Sequence, residues 1–595
     1  MIESDILERA QYWATSPVFD KGTRDEIAAL IKGANYKELT DRFYRDLEFG
    51  TGGLRGILGA GTCRMNIFNV RKATTALAQY MRDAFGANTE LKLAVSHDSR
   101  HFSREFAEAV CEVAAAFNIK SFLTEEMRPV PMLSYLVRMK QCHAGVCVTA
   151  SHNPPNYNGY KVYWNTGGQI VPPHDREVIK RYGAITGYEA IKFVPYDAAK
   201  QQGLATEIGK ELDDAYFAKV ESLSLRRDGR ENFHIVYSPL HGTGGYPVTQ
   251  CLKRYGFNRV TLVEEQRVPD GNFPTVKSPN PEDPAALEMA LALGKRVGAD
   301  LVMATDPDSD RIGIAVKEGE SYWFLNGNEM GCLLAEYVLS QSKETGKMPT
   351  NPLFIKTIVT TELQRHIAEH YGVAVEDTLT GFKWICQVIE DYATGKRTPS
   401  RNYVCGGEES YGFLAGSFVR DKDGVSACCL AAEMTAFYKH QGKSLRHVLD
   451  EIYLRHGVYR ESLHTLTLPG KDGAEAIKVM MGKFRTKPPA KICGVEVAFI
   501  LDYEYCQKYT VKDGALNPEG PLPLPKSDVL QFVLVDGTKV SVRPSGTEPK
   551  IKFYVSVKES LTSQSTSELV KRKQRCQERV HEIERAFVAM AQGQG

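Results

Sequence analysis

Three carboxylates at alternate positions, Asp306-Pro307-Asp308-Ser309-Asp310, carry the clearest chemistry in the sequence. Pro307 keeps the stretch out of a helix, so in an extended loop the three side chains fall on one side. Like charges that close repel unless a cation lies among them, and an all-oxygen donor set favours Mg²⁺ over Zn²⁺. An EF-hand is excluded, because Arg311 stands at the sixth loop position, where glycine is needed, and Lys317 at the twelfth, where a bidentate Glu belongs. The plain alternative is a solvated acidic turn.

A second group surrounds a serine. The small and β-branched run Ala144-Gly-Val-Cys-Val-Thr-Ala150 predicts a buried strand that ends at Ser151-His152-Asn153, where Pro154 and Pro155 stop it. A hydroxyl at a rigid strand-to-loop junction is placed to act as a nucleophile, although an ordinary Asx/Ser turn has the same composition. Gly50-Thr51-Gly52-Gly53-Leu54-Arg55-Gly56 would bring backbone N–H groups and one guanidinium to an anion, or else is a flexible loop with a solvated Arg. Arg543-Pro544-Ser545-Gly546-Thr547 offers a guanidinium, two hydroxyls and open amides suited to a phosphate, against the alternative of a plain Pro-Ser-Gly turn. Glu408 and Ser410 suit sugar hydroxyls, unless their loop is simply a charged surface one. Lys161, in the predicted strand Tyr160–Trp164, would have a lowered pKa beside a metal and other cations and could serve as an acid/base; elsewhere it is a solvated lysine.

Those loops need elements to hold them. Strand, polar loop, helix and strand recur from Lys92, from Phe233 and from Leu353, and each block ends a strand on a polar loop: Ser151, Asp306–Arg311 and Gly406–Gly412. Repeated α/β domains have this pattern, and their ligands gather beyond the carboxyl ends of the strands, so three loops could face one cleft. Residues 1–48 are a helical lead-in. After about residue 458, shorter strands and a closing helix from Glu568 predict a smaller α+β domain. The expected boundaries are 49–207, 208–320, 321–455 and 456–595, with linkers near 205–230, 318–325 and 452–462.

The totals fit that plan. A chain of 595 residues, 43% apolar and 25% charged, with a net charge near +1, is that of a globular protein of roughly three to five domains. The charge argues against a spread-out nucleic-acid footprint, and there is neither a signal peptide nor an apolar run long enough to span a bilayer. Its 13 cysteines are scattered without a Cys-x-x-Cys pair, as in a reduced, cytoplasmic protein with neither zinc site nor disulfide framework.

In their order and spacing, Thr149-Ala-Ser-His-Asn-Pro154, Asp306-Pro-Asp-Ser-Asp-Arg311, Gly407-Glu-Glu-Ser410 and Arg543-Pro-Ser-Gly-Thr547 resemble the signature loops of the α-D-phosphohexomutases. The resemblance runs from about residue 45 to the C-terminus. Length, lead-in helices and Asn158-Gly-Tyr-Lys-Val-Tyr-Trp164 look like the long phosphoglucomutase-2 branch, which includes phosphopentomutase and glucose-1,6-bisphosphate synthase activities. It implies three similar mixed α/β domains and a smaller C-terminal α+β domain around a central cleft. It makes Ser151 the phosphoserine and, with Asp306, Asp308 and Asp310, a Mg²⁺ ligand. Lys161 becomes the general acid/base with His152 beside it, and Arg55 and Arg311 contact phosphate or substrate. Glu408 and Ser410 hold sugar hydroxyls, and Arg543, Ser545, Gly546 and Thr547 hold the phosphate that is not reacting. Thr380-Gly381-Phe-Lys383 resembles the loop that reads sugar orientation, whereas Tyr411 and Phe413 depart from a sugar loop in which His often follows Ser-Gly. The implied reaction is a shift of phosphate between C1 and C6 of a glucose phosphate through glucose 1,6-bisphosphate. Mannose and pentose phosphates are the alternative substrates, and a monomer or homodimer is the expected assembly. Outside the family stand two other readings. In a haloacid-dehalogenase-type phosphotransferase Asp306 would be the nucleophile, but the stretch after it, Arg311–Val316, predicts a return strand where that family has a helix. In a non-catalytic sugar-phosphate sensor the nucleophile or a metal carboxylate would usually be lost, and here all are present.

Overall fold

The computed structural model describes residues 2–50, 52–468, 470–512, 515–545 and 550–592. The chain divides into two compact units. One holds Met1–Gly327, Phe382–Cys405 and Ser410–Gln441; the other holds Asn328–Gly381, Gly406–Glu409 and Gly442–Gly595.

In the first unit the lead-in is three helices, Ser4–Thr15, Lys21–Lys32 and Tyr36–Phe43. Trp13 stacks on Phe19 at 4.2 Å, and both meet Phe68 and Tyr188 edge-on, so the lead-in is sealed to the first α/β domain by aromatic contacts. That domain's sheet runs Gly53–Ile57, Tyr157–Trp164, Ala144–Val148, Lys92–His97, Lys120–Thr124, Ala205–Ile208 in spatial order. The last four strands are parallel, and apolar on both faces because helices such as Ser103–Ala116 cover them. Tyr157–Trp164 is antiparallel to both neighbours and places Lys161 between Gly53 and Cys147.

The second sheet is ordered Ser321–Phe324, Ile312–Glu318, Leu301–Thr305, His234–Ser238, Arg259–Leu262. Leu301–Thr305 and Ile312–Glu318 are antiparallel neighbours, with Thr305 opposite Ile312, so the acidic stretch is the connection of a tight hairpin. The buried helix Gly424–His440 packs against this sheet and is capped by Asp423, which accepts N–H bonds from Val425 and Ser426.

In the second unit Pro352–Thr357 and Ala374–Thr378 pair in parallel. The C-terminal domain is an antiparallel sheet ordered Val458–Thr467, Lys550–Glu559, Lys539–Pro544, Leu530–Leu534, Val495–Asp502, Gln507–Lys512, Ala515–Pro521, with helix Thr566–Ala591 against it.

Three expectations change. The linkers are structured: residues 205–230 contain a strand and the helix Lys210–Ser222, 318–325 contain the strand Ser321–Phe324, and 452–462 span the end of helix Leu445–His456 and the start of strand Val458–Thr467. Polar, charged sequence there marks solvent-facing sides of elements, not breaks in them. The strand before Ser151 stops at Val148, three residues early. The acidic stretch is a turn and not extended: Ser309 donates its N–H to Asp306 O at 2.9 Å and takes a φ of +53°. Among the described residues, no helix is long and apolar enough to cross a membrane.

Candidate active site

Ser151 adopts a left-handed backbone, φ +53°, uncommon for a residue with a Cβ and costing on the order of 1–2 kcal/mol. Two neighbours hold it there. Its N–H donates to Thr149 Oγ1 at 2.9 Å, and the buried guanidinium of Arg100 donates to the carbonyls of Ser151, Pro154 and Tyr157 at 2.6, 2.8 and 3.0 Å. Asp98, 3.3 Å away and equally buried, balances the arginine. So fixed, Ser151 Oγ donates to Asp306 Oδ2 at 2.8 Å and lies 3.2 Å from His152 Nδ1.

The acidic turn meets that serine with three converging carboxylates, one ligand oxygen from each lying within 4.8 Å of the others. All three aspartates are buried. Asp306 Oδ1 accepts the N–H groups of Asp310 and Arg311, both at 3.1 Å. Asp308 Oδ2 accepts from Lys161 Nζ at 2.7 Å and Thr149 Oγ1 at 3.1 Å. Asp310 Oδ2 lies 3.4 Å from Lys161 Nζ and 3.2 Å from Lys422 Nζ. Burial and repulsion from Asp308 and Asp310 push the Asp306 carboxyl well above the usual range. Burial also penalises the other two, but Lys161 outweighs it at Asp308 and Lys422 at Asp310, and both carboxyls are held low. Asp308 Oδ1 and Asp310 Oδ1 are buried without a hydrogen-bond partner. Buried carboxylate oxygens without partners, in an all-oxygen set, fit a hard divalent cation.

Backbone approach fixes the turn. A Cβ on Gly242 would lie 2.3 Å from Pro307 Cα, and one on Gly424 would lie 2.5 Å from Ser309 O, so only glycine lets these segments close on the turn. Thr243 N donates to Pro307 O at 2.8 Å, and Gly424 N to Ser309 O at 3.1 Å.

The other sequence-predicted residues fall into three places. Arg311, His152 and Arg55 are at this site: Arg311 pairs with Glu282, Arg55 donates to Asn153 Oδ1 at 3.0 Å, and Ser278 Oγ donates to the His152 carbonyl. Burial, then the charges of Arg311 and Arg55, depress the His152 imidazole well below its usual range and keep it neutral. Lys161 departs from the expected lowered pKa. Burial pulls it down, but Asp308 and Asp310 together push it above its usual value, leaving a firmly held ammonium. The expectation counted the cations and a metal but not two carboxylates within 3.4 Å.

In the second unit Gly381 N donates to Glu408 Oε1 at 2.7 Å, tying the loop after Thr380 to the end of strand Asn402–Glu408. Arg543 closes strand Lys539–Pro544, and Ser545 N donates to Lys550 O at 2.8 Å. The Tyr554 phenol, its pKa raised mainly by burial, lies beside both the Glu409 and Glu408 carboxylates and the Arg543 guanidinium, which brings the sugar-loop and phosphate-loop residues together. Lys383, its pKa lowered by burial and its ammonium 5.4 Å from the Trp384 ring, and Ser410 belong to the first unit. Gly546 and Thr547, and Thr51 of the N-terminal glycine loop, lie outside the described residues.

Three residues at the first-unit site escaped the sequence reading. Thr149 and Arg100 lie in or beside stretches already read as polar turns. Lys422 is about 110 residues beyond Asp310, in Arg420-Asp421-Lys422-Asp423, a charged cluster directly before an apolar helix, which was the signal available.

Profiles of the phosphoglucomutase/phosphomannomutase family match the chain in order: α/β/α domain I over residues 46–189, domain II over 214–319 and domain III over 326–456. A phosphoglucomutase of Staphylococcus epidermidis is 35% identical over 512 residues, 86% of this chain and 90% of that one. A phosphoglucomutase of Staphylococcus aureus is 35% identical over 522 residues, 88% and 91% of the two chains. Among solved structures, pp63/parafusin from Paramecium, a phosphoglucomutase, superposes with a TM-score of 0.65 at 18% identity over 92% of this chain and 96% of its own. A putative phosphomannomutase of Thermus thermophilus gives 0.61 at 21% identity, over 90% and 99%. With a nucleophile-bearing turn set against an acidic one, and this likeness along nearly its whole length, the chain belongs to the phosphoglucomutase/phosphomannomutase family of the α-D-phosphohexomutase superfamily and is an intramolecular phosphotransferase.

Proposed function

We propose that the enzyme interconverts glucose 1-phosphate and glucose 6-phosphate through a phosphorylated Ser151 and a glucose 1,6-bisphosphate intermediate, with Mg²⁺ as cofactor. The observation that carries this reading is Ser151 Oγ at 2.8 Å from Asp306, beside two carboxylate oxygens that lack a partner. Asp306, Asp308, Asp310 and the Ser151 phosphate would hold the cation, which offsets charge on the transferring group.

The protein's own share is positioning and charge. Phospho-Ser151 passes its phosphoryl group to the free hydroxyl of the bound monophosphate; the P–O bond to the serine breaks as the bond to the sugar forms. Lys161, held as an ammonium, stands next to the carboxylates to give a proton to the leaving serine oxygen and recover it when the reaction reverses. His152, neutral and 3.2 Å from Oγ, is placed to accept one. The bisphosphate then turns, and Ser151 recovers phosphate from its other end. Arg55, Arg311, Thr380, Gly381, Lys383, Glu408 and Ser410 hold the sugar and reacting end, and Arg543, Ser545, Gly546 and Thr547 the distal phosphate. The 35% identical phosphoglucomutases favour glucose; mannose and ribose phosphates are the alternatives, and coupled assays on the three 1-phosphates side by side decide among them.

Ser151→Ala is expected to lower turnover by at least about 10³-fold while circular dichroism and melting temperature hold. The phosphoenzyme is expected to resist hydroxylamine. Full activity in the variant, or a hydroxylamine-labile phosphate, would overturn the reading.

A further inference from the structure

A cavity of about 360 Å³ lies in the second unit, between helix Leu363–His370 with its flanking residues and one face of the C-terminal sheet. That volume is in the range of small-metabolite pockets. On strand Lys550–Glu559, Ser556 and Lys558 line it, while Lys552 and Tyr554 of the same strand face lie toward Arg543 and Glu409. At a rise of about 3.3 Å per residue, position 558 is roughly 13 Å from position 554. The cavity is thus separate from the phosphate-loop residues.

Its charges do not balance. Glu362 is shared by Lys356 at 3.0 Å, Lys539 at 2.8 Å and Arg365 at 3.1 Å, and Asp377 by Lys356 at 3.0 Å and Arg365 at 2.5 Å. Lys558, 5.5 Å from the Tyr459 ring, has no acidic partner among the described residues. Four fixed cations therefore face two carboxylates. Valences are also left over. Lys539 Nζ spends two of its three donors, on Ile358 O and Glu362 Oε1, both at 2.8 Å. The Tyr459 side chain is 4% exposed, and its buried hydroxyl has no hydrogen-bond partner. Asp377 Oδ1 accepts no hydrogen bond despite its ion pair. Buried polar atoms left unpaired cost about 1–3 kcal/mol each, so a built site with several of them points to an occupant.

We propose that this cavity binds a small phosphate monoester: its phosphoryl group against Lys558, Lys539 and the Tyr459 hydroxyl, and a hydroxyl of its body against Asp377. The surplus of two positive charges matches the near-dianion such a group presents at neutral pH. A bare phosphate would satisfy the cations but leave Asp377 without a donor, which is the ground for choosing the ester.

The test reads the cavity itself, independently of turnover. His366 lines it, so full-length enzyme with ¹³C-labelled histidines is titrated by NMR with glycerol 3-phosphate, inorganic phosphate and potassium chloride at matched ionic strength and constant pH. The expected result is a saturable shift of the His366 ring with glycerol 3-phosphate, several-fold weaker binding of inorganic phosphate and no saturation with chloride. Lys558→Glu is expected to weaken the ester at least tenfold while kcat without added anion stays within about twofold; Lys558→Gln serves if the charge reversal disturbs folding. A His366 response that survives both variants, a response equal to that of chloride, or preference for inorganic phosphate over the ester would each overturn the proposal.

Discussion

At the scale of single residues, the site is a problem in charge. Three buried carboxylates share two lysines, and the proton affinities divide unequally: Asp306 is pushed up while Asp308 and Asp310 are held down. Neutralising each aspartate should therefore have a different sign. Asp306→Asn mimics the uncharged form that burial and its neighbours favour, so its metal-free melting temperature is expected to equal or exceed the parent's. Asp308→Asn strips Lys161 of its 2.7 Å partner and is expected to cost about 3 kcal/mol in the metal-free protein. Both variants are expected to lose the stabilisation that Mg²⁺ gives the parent, about 2.7 kcal/mol at a hundredfold excess over Kd. Thermal melts with Mg²⁺ and with EDTA separate the two effects. Ser151 and the aspartates were legible because serine before Asn-Pro-Pro, and carboxylates at alternate positions, have few competing explanations. Lys422 was not, since nothing local distinguishes a lysine that travels to a carboxylate from one that stays in water. The direction of the Lys161 shift was misread for the same reason: it depends on which charges surround the ammonium, and that is a matter of tertiary distance.

Elements were legible where composition is one-sided. Leu301–Thr305 and Ala144–Val148 are buried throughout and read as strands from apolar content alone; the supposed linkers failed because amphipathic edges carry as many charges as loops do. The turn that holds the aspartates depends on segments remote in sequence. Gly242→Ala would drive a Cβ into Pro307 and is expected to lower metal affinity by about 10- to 100-fold, in the manner of a lost supporting contact, with the glucose 1-phosphate KM at saturating metal little changed. Titration of Mg²⁺ against initial rate measures it. Helices Leu363–His370 and Leu445–His456 give a separate, pH-dependent case. The His456 ring lies 5.7 and 6.3 Å from those of His370 and His366, and burial, then Arg455 and these rings, pulls its pKa from 6.5 down to about 4. A histidine depressed in this way binds more protons unfolded than folded, so its contribution is fully present above pH 6.5 and is lost as pH falls toward 4. Glu461, raised by burial to about 7, slopes the other way, so the measurement is a difference. The loss of melting temperature between pH 7 and 4.5 is expected to be smaller in His456→Gln than in the parent.

At the scale of the whole molecule, the fold class was legible from the repeated strand-to-polar-loop plan, whereas the division into units was not. Chain order separates Ser410–Gln441 from the acidic turn, yet this segment carries Lys422 to Asp310 and Asp421 to Tyr163, with Tyr163 Oη donating to Asp421 at 2.7 Å. A chain ending at residue 409 keeps Ser151, Lys161 and all three aspartates. It is nevertheless expected to show no Mg²⁺-dependent gain in melting temperature, because the Asp310 counter-charge and the buried helix Gly424–His440 are missing.

That interleaving also sets an order of events on the ribosome. Every carboxylate of the acidic turn has been made by residue 310, but the lysine that balances Asp310 emerges about 110 residues later, on the order of 5–20 seconds at usual elongation rates. Until then the nascent chain holds three crowded acids with one of their two lysines. The centre closes late in synthesis, and a pause between residues 310 and 422 would prolong the state in which the half-built site is most exposed to chaperones and proteases.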